Sequence, residues 1–427
     1  MLFHHTGPVC HCVPVRQAVP DRRKATAGVV PGLSAMLGAG LLAAIAPAAA
    51  AAGTWLLAGA VIAFLTALCG AFSTSDQSRR FVGVGGGYLY TRHQLGVLPG
   101  RMAGSTVLVG RIVAGAAIAG TFGVYVVPQH PVVAAIAVSL VAMLADALGM
   151  RPSRGVMIAV LVITLAGLAL FVAVSFAIAP PPALPLPPDI AGKDDPGGLL
   201  TAAGLMFFGF LGFERVTSSS QQEYTVRQMR VAIPVMLVGA LVAALAVGGA
   251  ALYQLGGPRL ALSPAPLLDA LAAADAQLLQ PLMSGVAGIA TLFGLLLAIG
   301  SIRRTLSAMA EFSDVPPSLA IVGERGVSAP AAVISGLAVA MAAALLNPPQ
   351  AIGVSACLLL FYYAFTNASA RLLMPAERAW PRRAACFGLG FSVLVGMNMS
   401  VKYLVVVVLV MVVGCLAGAV TSRYARN

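Results

Sequence analysis

Long apolar runs, separated by short polar or basic stretches, set the pattern of this chain from residue 26 onward. An α-helix rises about 1.5 Å per residue, so roughly 20 apolar residues cross the ~30 Å hydrocarbon core of a bilayer. By that measure the runs predict twelve spans, near 26–51, 55–76, 102–127, 132–150, 155–179, 198–218, 231–255, 282–307, 329–346, 351–372, 384–399 and 402–421. Only "MNMSVK" separates the last two. The stretch "APPPALPLPPDIAGKDDPGG", Ala179 to Gly198, is Pro-rich and reads as an extended connection. Another connection, "RRFVGVGGGYLYTRHQLGVLPGR", joins glycines to an aromatic and basic amphipathic piece. It is expected along the membrane surface or at the inner mouth of a transport path.

Composition agrees with an all-α integral membrane protein. Of 427 residues, 59% are hydrophobic and 9% charged, with mean hydropathy +0.93. A soluble domain of this size carries about a quarter of its residues charged. The formal net charge of +12 would suit nucleic acid, but its placement follows topology instead. With a cytoplasmic N-terminus and an even number of spans, the outer loops hold only Lys193, Arg259 and Lys402. Arg111 and Arg215 fall inside or beside spans, and the other Lys and Arg lie on the cytoplasmic side. That is the positive-inside pattern, and it predicts a multi-pass protein of the cytoplasmic membrane with both termini inside. The expected partners are the lipid bilayer and a small molecule, and nucleic acid is excluded.

Two spans carry breaks at matching depth. "GAG", Gly38-Ala39-Gly40, comes roughly 12 residues into the first span, and Gly209 and Gly212 lie comparably deep in the sixth. Spans one and six are five apart, so if 1–5 and 6–10 are repeats they are inverted. Glycine-interrupted spans at matching positions of inverted halves point to a transport site. Freed N–H groups there suit a carboxylate and freed carbonyls an ammonium, which favours an amino acid zwitterion. The alternative use of these small residues is close helix packing.

These stretches resemble amino acid permeases of the amino acid–polyamine–organocation superfamily, and their actinobacterial members in particular. "MLGAGLL" is similar to the first-helix signature, "GGGYLYTRHQLGVLPGRMAG" to the loop after span two, and "FFGFLGFERVTSSSQQE" to the sixth-helix signature. "FYYAFTNASARLL" with the following "WPRR" resembles the tenth-helix region. The resemblance implies a leucine-transporter-like fold with discontinuous helices 1 and 6. Its expected parts are a cytoplasmic tail (1–24), a first inverted repeat (25–179), an external linker (180–197) and a second repeat (198–372). Helices 11 and 12 and a cytoplasmic C-terminus then occupy 373–427. It also implies a secondary transporter working by alternating access, proton-coupled or by exchange. Met36, Gly38, Ala39 and Gly40 would take the substrate carboxylate. Phe208, Gly209, Phe210 and Leu211 would take the amino group, with Phe208 as an aromatic gate. The chain departs from relatives in carrying Ala39 where some have Ser, and Gln221-Gln222-Glu223 with no Asn-Pro after it.

Two charges sit within this frame. Arg111 is roughly 11 residues into span three, too deep to reach water along its own stem, so it needs a partner or a wet cavity. The resemblance implies that it faces substrate, where it would favour neutral or acidic cargo; the alternative is a structural ion pair with Glu214. The resemblance places Glu214 where relatives have a proton-coupling acid. Sodium is disfavoured by Arg303 and Arg304 beside Ser301.

A membrane enzyme would need catalytic pairs, yet the histidines (His4, His5, His11, His93, His130) lie in tails and loops, and no Asp/Glu pair falls inside a span. Cys10 and Cys12 share the short N-terminal tail with three of those histidines. No second ligand cluster accompanies them, so no metal and no cofactor is expected. A sensor that keeps the fold without moving substrate is the alternative to a permease.

Overall fold

The computed structural model describes residues 29–30, 32–81, 83, 85–150, 152–182, 195–214, 217, 226–323 and 326–424. The Cys/His tail, most of the Pro-rich linker, Arg215 and Gln221 to Glu223 lie outside them. Fourteen α-helices are found among the described residues. They are α1 (Leu41–Ala52), α2 (Leu56–Arg80), α3 (Gly87–Leu95), α4 (Val97–Val126), α5 (Pro131–Ala147), α6 (Arg154–Ala177) and α7 (Leu199–Phe207) in the first half. After them come α8 (Val226–Leu262), α9 (Pro266–Ala273), α10 (Gln280–Glu311), α11 (Ala329–Leu345), α12 (Pro348–Ala370), α13 (Arg382–Met397) and α14 (Val401–Tyr424). Each apolar run of the sequence overlaps helix. Seven helical segments have the length and apolarity of a membrane crossing, one running from Leu41 to Arg80 past the bend at Gly53, and three shorter helices are also apolar. The protein is a multi-pass membrane protein.

α4 is the hub, packed against α3, α5, α10, α12 and α14. Its small residues make this possible. A Cβ on Gly110 would stand 3.0 Å from the Leu359 side chain, and one on Gly115 would stand 2.9 Å from Val339. In lipid, helices gain nothing by hiding apolar surface from water, so such close van der Waals approach supplies the association.

The first predicted break takes a different form from the one expected. Residues 32–35 are α-helical, Met36–Gly40 form a π turn, and α1 continues from Leu41. The Leu41 N–H donates to the Met36 carbonyl, one residue further back than in an α-helix. The expectation of an unwound first helix is therefore corrected to a widened one. The physical reason is that an i→i−5 turn keeps most backbone groups bonded inside the segment, which hydrocarbon demands. Where the ladder returns from i−5 to i−4, one carbonyl is passed over, so even this mild defect frees an acceptor.

The second break is a true interruption. α7 ends at Phe207, a 3-10 turn covers Phe208–Phe210, and a turn from Leu211 leads to helix again at Glu214. The two irregular turns touch. A Cβ on Gly40 would lie 2.8 Å from the Gly209 Cα and 3.0 Å from the Phe208 carbonyl oxygen, and one on Gly38 would lie 2.9 Å from the Ala290 Cβ.

At the ends of the helices, carboxylates tie elements together. Asp314, after α10, accepts from Arg101 Nε at 2.8 Å, from the Tyr88 hydroxyl at 2.7 Å and from Arg92, joining α3 and α4. Burial, reinforced by the hydrogen bond to Asp314, pushes the Tyr88 phenol well above its usual range, so it stays a donor. Asp146 on α5 holds Arg303 on α10 at 2.8 Å. Asp76 on α2 accepts the N–H groups of Ala379 and Trp380 at 2.8 and 3.2 Å.

The backbone contact at Gly40 makes a prediction. Gly40→Ala is expected to destabilise the detergent-solubilised protein by about 1–3 kcal/mol, the usual effect of overpacking. Gly249→Ala, whose added methyl meets nothing within 4 Å, is expected to be neutral or stabilising. Thermal melting of the two variants side by side is the check.

Candidate functional site

A cavity of about 600 Å³ opens between α2, α4, α10, α12 and the two irregular turns. Gly40, Phe208 and Leu211 form part of its wall. α10 contributes one face, Gly294, Leu297, Ala298, Ser301, Arg304 and Thr305, at spacings of three and four that put all six on one side of a helix. The glycine turn at Gly83 and Gly85 to Gly87 lines the cavity too. Gly85 and Gly86 have φ of +148° and +53°, which lets the chain reverse from α2 into α3, and the Gly87 N–H donates to the Tyr362 hydroxyl at 2.9 Å.

Arg111 has both things its depth required. Its guanidinium forms an ion pair with Glu214, and its other terminal nitrogen donates to the Thr305 hydroxyl at 2.5 Å. Thr305 in turn donates to the Ser301 carbonyl at 3.0 Å. The second carboxylate oxygen of Glu214 accepts from the Tyr363 hydroxyl at 2.6 Å. Both charged side chains are 17% exposed and both line the cavity. Tyr363 is fixed by edge-on contact with Phe207, centroids 5.6 Å apart, and by Phe213 at 5.2 Å. Each charge is thus partly desolvated, paired and hydrogen-bonded, as stability in such surroundings requires.

Of the residues singled out by the sequence, Gly40, Phe208, Leu211, Arg111 and Glu214 are brought together around one space. Met36 and Phe210, 1% and 2% exposed, are packed behind it, Gly209 makes the backbone contact with Gly40 already described, and Gly38 lies against Ala290. The Ala39 backbone belongs to the π turn, and its side chain lies outside the described set. Sequence reasoning missed Thr305, Tyr362, Tyr363 and Tyr90. The paired tyrosines stood in a stretch noticed only for its resemblance, and Thr305 lies one turn beyond Ser301, which had been weighed for sodium. Arg303 is held by Asp146, so its charge does not act alone beside Ser301. Among the described residues no group of three or more His, Cys, Asp and Glu could hold a metal ion.

The arrangement can enclose a small polar solute. Its volume lies in the usual range for small-molecule pockets, and it offers hydroxyls, turn backbone, the Arg111–Glu214 ion pair and Arg304. No family model matches the chain. An uncharacterized transporter of Mycobacterium tuberculosis is 36% identical to it over 373 residues, which is 86% of this chain and 84% of the relative. One of Mycobacterium bovis matches to the same extent. The chain belongs to this transporter family. A transporter made of membrane helices works in a lipid bilayer on a small-molecule cargo, and the cavity walled by Gly40, Phe208 and the ion pair is its candidate binding site.

The transporter's ion pair is testable as a unit. Glu214→Gln strands the Arg111 charge and is expected to cost about 3 kcal/mol of stability. The double variant Arg111→Gln with Glu214→Gln is expected to cost clearly less than the two single changes added together. A double-mutant cycle on melting temperature reads the coupling.

Proposed function

We propose that this transporter is an amino acid permease of the amino acid–polyamine–organocation type, carrying a neutral or acidic amino acid, or a related amine-carboxylate, across the cytoplasmic membrane by alternating access. The observation that carries the reading is the meeting of two irregular turns, Met36–Gly40 and Phe208–Phe210, beside a cavity walled by a partly buried ion pair. Irregular backbone is tolerated at membrane depth where it lines a cavity or is buried in protein, and both conditions apply here.

In this reading the chain makes twelve crossings, with 25–179 and 198–372 as inverted repeats and both termini cytoplasmic. The π turn and its freed acceptor belong to the first repeat and the 3-10 turn to the second. For backbone groups of Gly38, Ala39 and Gly40, with Met36 packed behind them, to receive the carboxylate end of the substrate, the π turn opens further on binding and frees N–H donors there. The Phe208-Gly209-Phe210-Leu211 turn receives the amino group, and Phe208 closes over the cargo. Arg111 sets the charge preference and Glu214 takes up and releases the proton that couples transport. The glycine turn at Gly85 and Gly86 lines the cavity and lies close in sequence to Arg79 and Arg80, which the charge pattern puts in the cytoplasm, so in this reading the cavity opens inward.

Two outcomes are expected in proteoliposomes. Amino acid uptake by the parent protein falls as external pH rises, and uptake by Glu214→Gln is slower and flat across the same range. With Arg111→Gln, discrimination against lysine and arginine relaxes by about tenfold, the effect of removing roughly 1.4 kcal/mol of charge repulsion. Failure of every amino acid to exchange in counterflow would refute the permease assignment.

A further inference from the structure

Away from the cavity, unpartnered polar atoms gather at one place. Among the described residues nine buried side-chain nitrogens and oxygens have no hydrogen-bond partner. Three of the nine, Ser73 Oγ, Arg378 Nε and Trp380 Nε1, line a single cleft of about 10 Å³ where α2, the end of α12 and the start of α13 meet. Each such atom is costly, so three facing one space point to an external acceptor. The indole N–H and the guanidinium Nε–H can only donate, and Ser73, 2% exposed, can do so too. The acid of the cleft does not serve them. Asp76 accepts the backbone N–H groups of Ala379 and Trp380, and the Arg79 and Arg378 charges act on it. Glu377, the next acid along the chain, pairs with Arg80 at 2.7 Å.

α13 begins beside this cleft. No side chain caps its N-terminus, and Arg382 and Arg383 occupy its first turn, where the helix dipole is positive and cations are disfavoured. Arg382 lines the cleft. Both arginines are exposed, and neither side chain has a hydrogen bond or ion pair among the described residues. An anion there relieves the arginines, the helix end and the buried donors together. Trp380 is held in place by stacking on Phe72, ring centroids 3.7 Å apart. From Arg383 an exposed apolar stripe continues along α13 through Phe387, Gly390, Leu394 and Met397, at spacings of three and four. The charge pattern puts the Arg382 end of this helix on the cytoplasmic side.

We infer that this cleft is a headgroup site for an anionic phospholipid of the cytoplasmic leaflet. The cleft admits about one oxygen atom, which the Trp380, Arg378 and Ser73 donors receive. The rest of the phosphate stays at the surface with Arg382 and the first N–H groups of α13, and an acyl chain follows the stripe from Phe387 to Met397. Basic pockets between membrane helices suit such headgroups. Free phosphate shares the headgroup chemistry, but the apolar stripe that continues from the arginines fits a lipid. The site lies outside the transport cavity and holds whatever the cargo is, so it goes beyond the permease reading.

The chain has two tryptophans, Trp55 and Trp380, so Trp55→Phe leaves Trp380 as the sole fluorescent reporter. The test reconstitutes this full-length protein in mixed bilayers of phosphatidylglycerol and phosphatidylcholine, one of the two brominated at a time, and reads quenching of Trp380. Phosphatidylglycerol is expected to be preferred by about 10- to 30-fold, the size for two arginines at an anionic headgroup. Arg382→Gln with Arg383→Gln is expected to bring the preference below about threefold, whereas Arg423→Gln, an exposed cation at the end of α14, leaves it unchanged. Trp380→Phe keeps the stack on Phe72 and removes only the N–H. In detergent, its melting temperature is expected to rise less on adding phosphatidylglycerol than that of the parent, and the same curves confirm folding of every variant. Equal quenching by the two lipids, a preference unmoved by the double arginine change, or one lowered as much by Arg423→Gln overturns the site. Displacement of brominated phosphatidylglycerol by inorganic phosphate overturns its assignment to lipid.

Discussion

A guanidinium placed among apolar helices has to be neutralised, hydrogen-bonded and given access to something polar, and Arg111 meets all three needs at once. Its pair with Glu214 joins α4 to the turn that follows α7, and its bond to Thr305 joins α4 to α10. Tyr363 completes the carboxylate from α12. Four parts of the chain, far apart in sequence, are thereby held around one space. Removing either charge would leave the other exposed to a low-dielectric surrounding, so the pair is a constraint on the whole bundle as well as a feature of the site.

The second constraint is backbone satisfaction. Hydrocarbon offers no hydrogen bonds, so a helix can depart from α geometry only mildly or only beside protein and water. The chain uses both options. Met36–Gly40 stays helical but widened, and the turn after Phe207 breaks outright. The two meet at Gly40 and Gly209, where a side chain on Gly40 would hold them apart. The same absence of Cβ atoms that permits contact there also permits the central position of α4, whose Gly110 and Gly115 admit Leu359 and Val339.

Much of this was readable from the chain. Apolar runs located the helices because span length is fixed by the bilayer, and glycines at matching depths located the two irregular turns. The depth of Arg111 announced that it needed a partner, and Glu214, closing the sixth-span break, was named as the structural one. Other features were not legible. A glycine signals tolerance of odd geometry without saying which, so a π turn could not be told from an unwound one. Tyr363 and Thr305 reach the ion pair only through tertiary contact across 149 and 194 residues. The short buried α3 was foreseen only as an amphipathic piece, because its tie to Asp314 depends on a residue more than 200 positions away.

The account stands on substrate entering the space between the irregular turns and α10. The most direct measurement is thiol labelling of Ser301→Cys in protein whose native cysteines are replaced, reconstituted and probed with a membrane-impermeant reagent. The account predicts labelling from the side that bears Arg79 and Arg80, and clear slowing of the reaction by a mixture of proteinogenic amino acids without cysteine. Labelling that proceeds at the same rate with and without that mixture would contradict it.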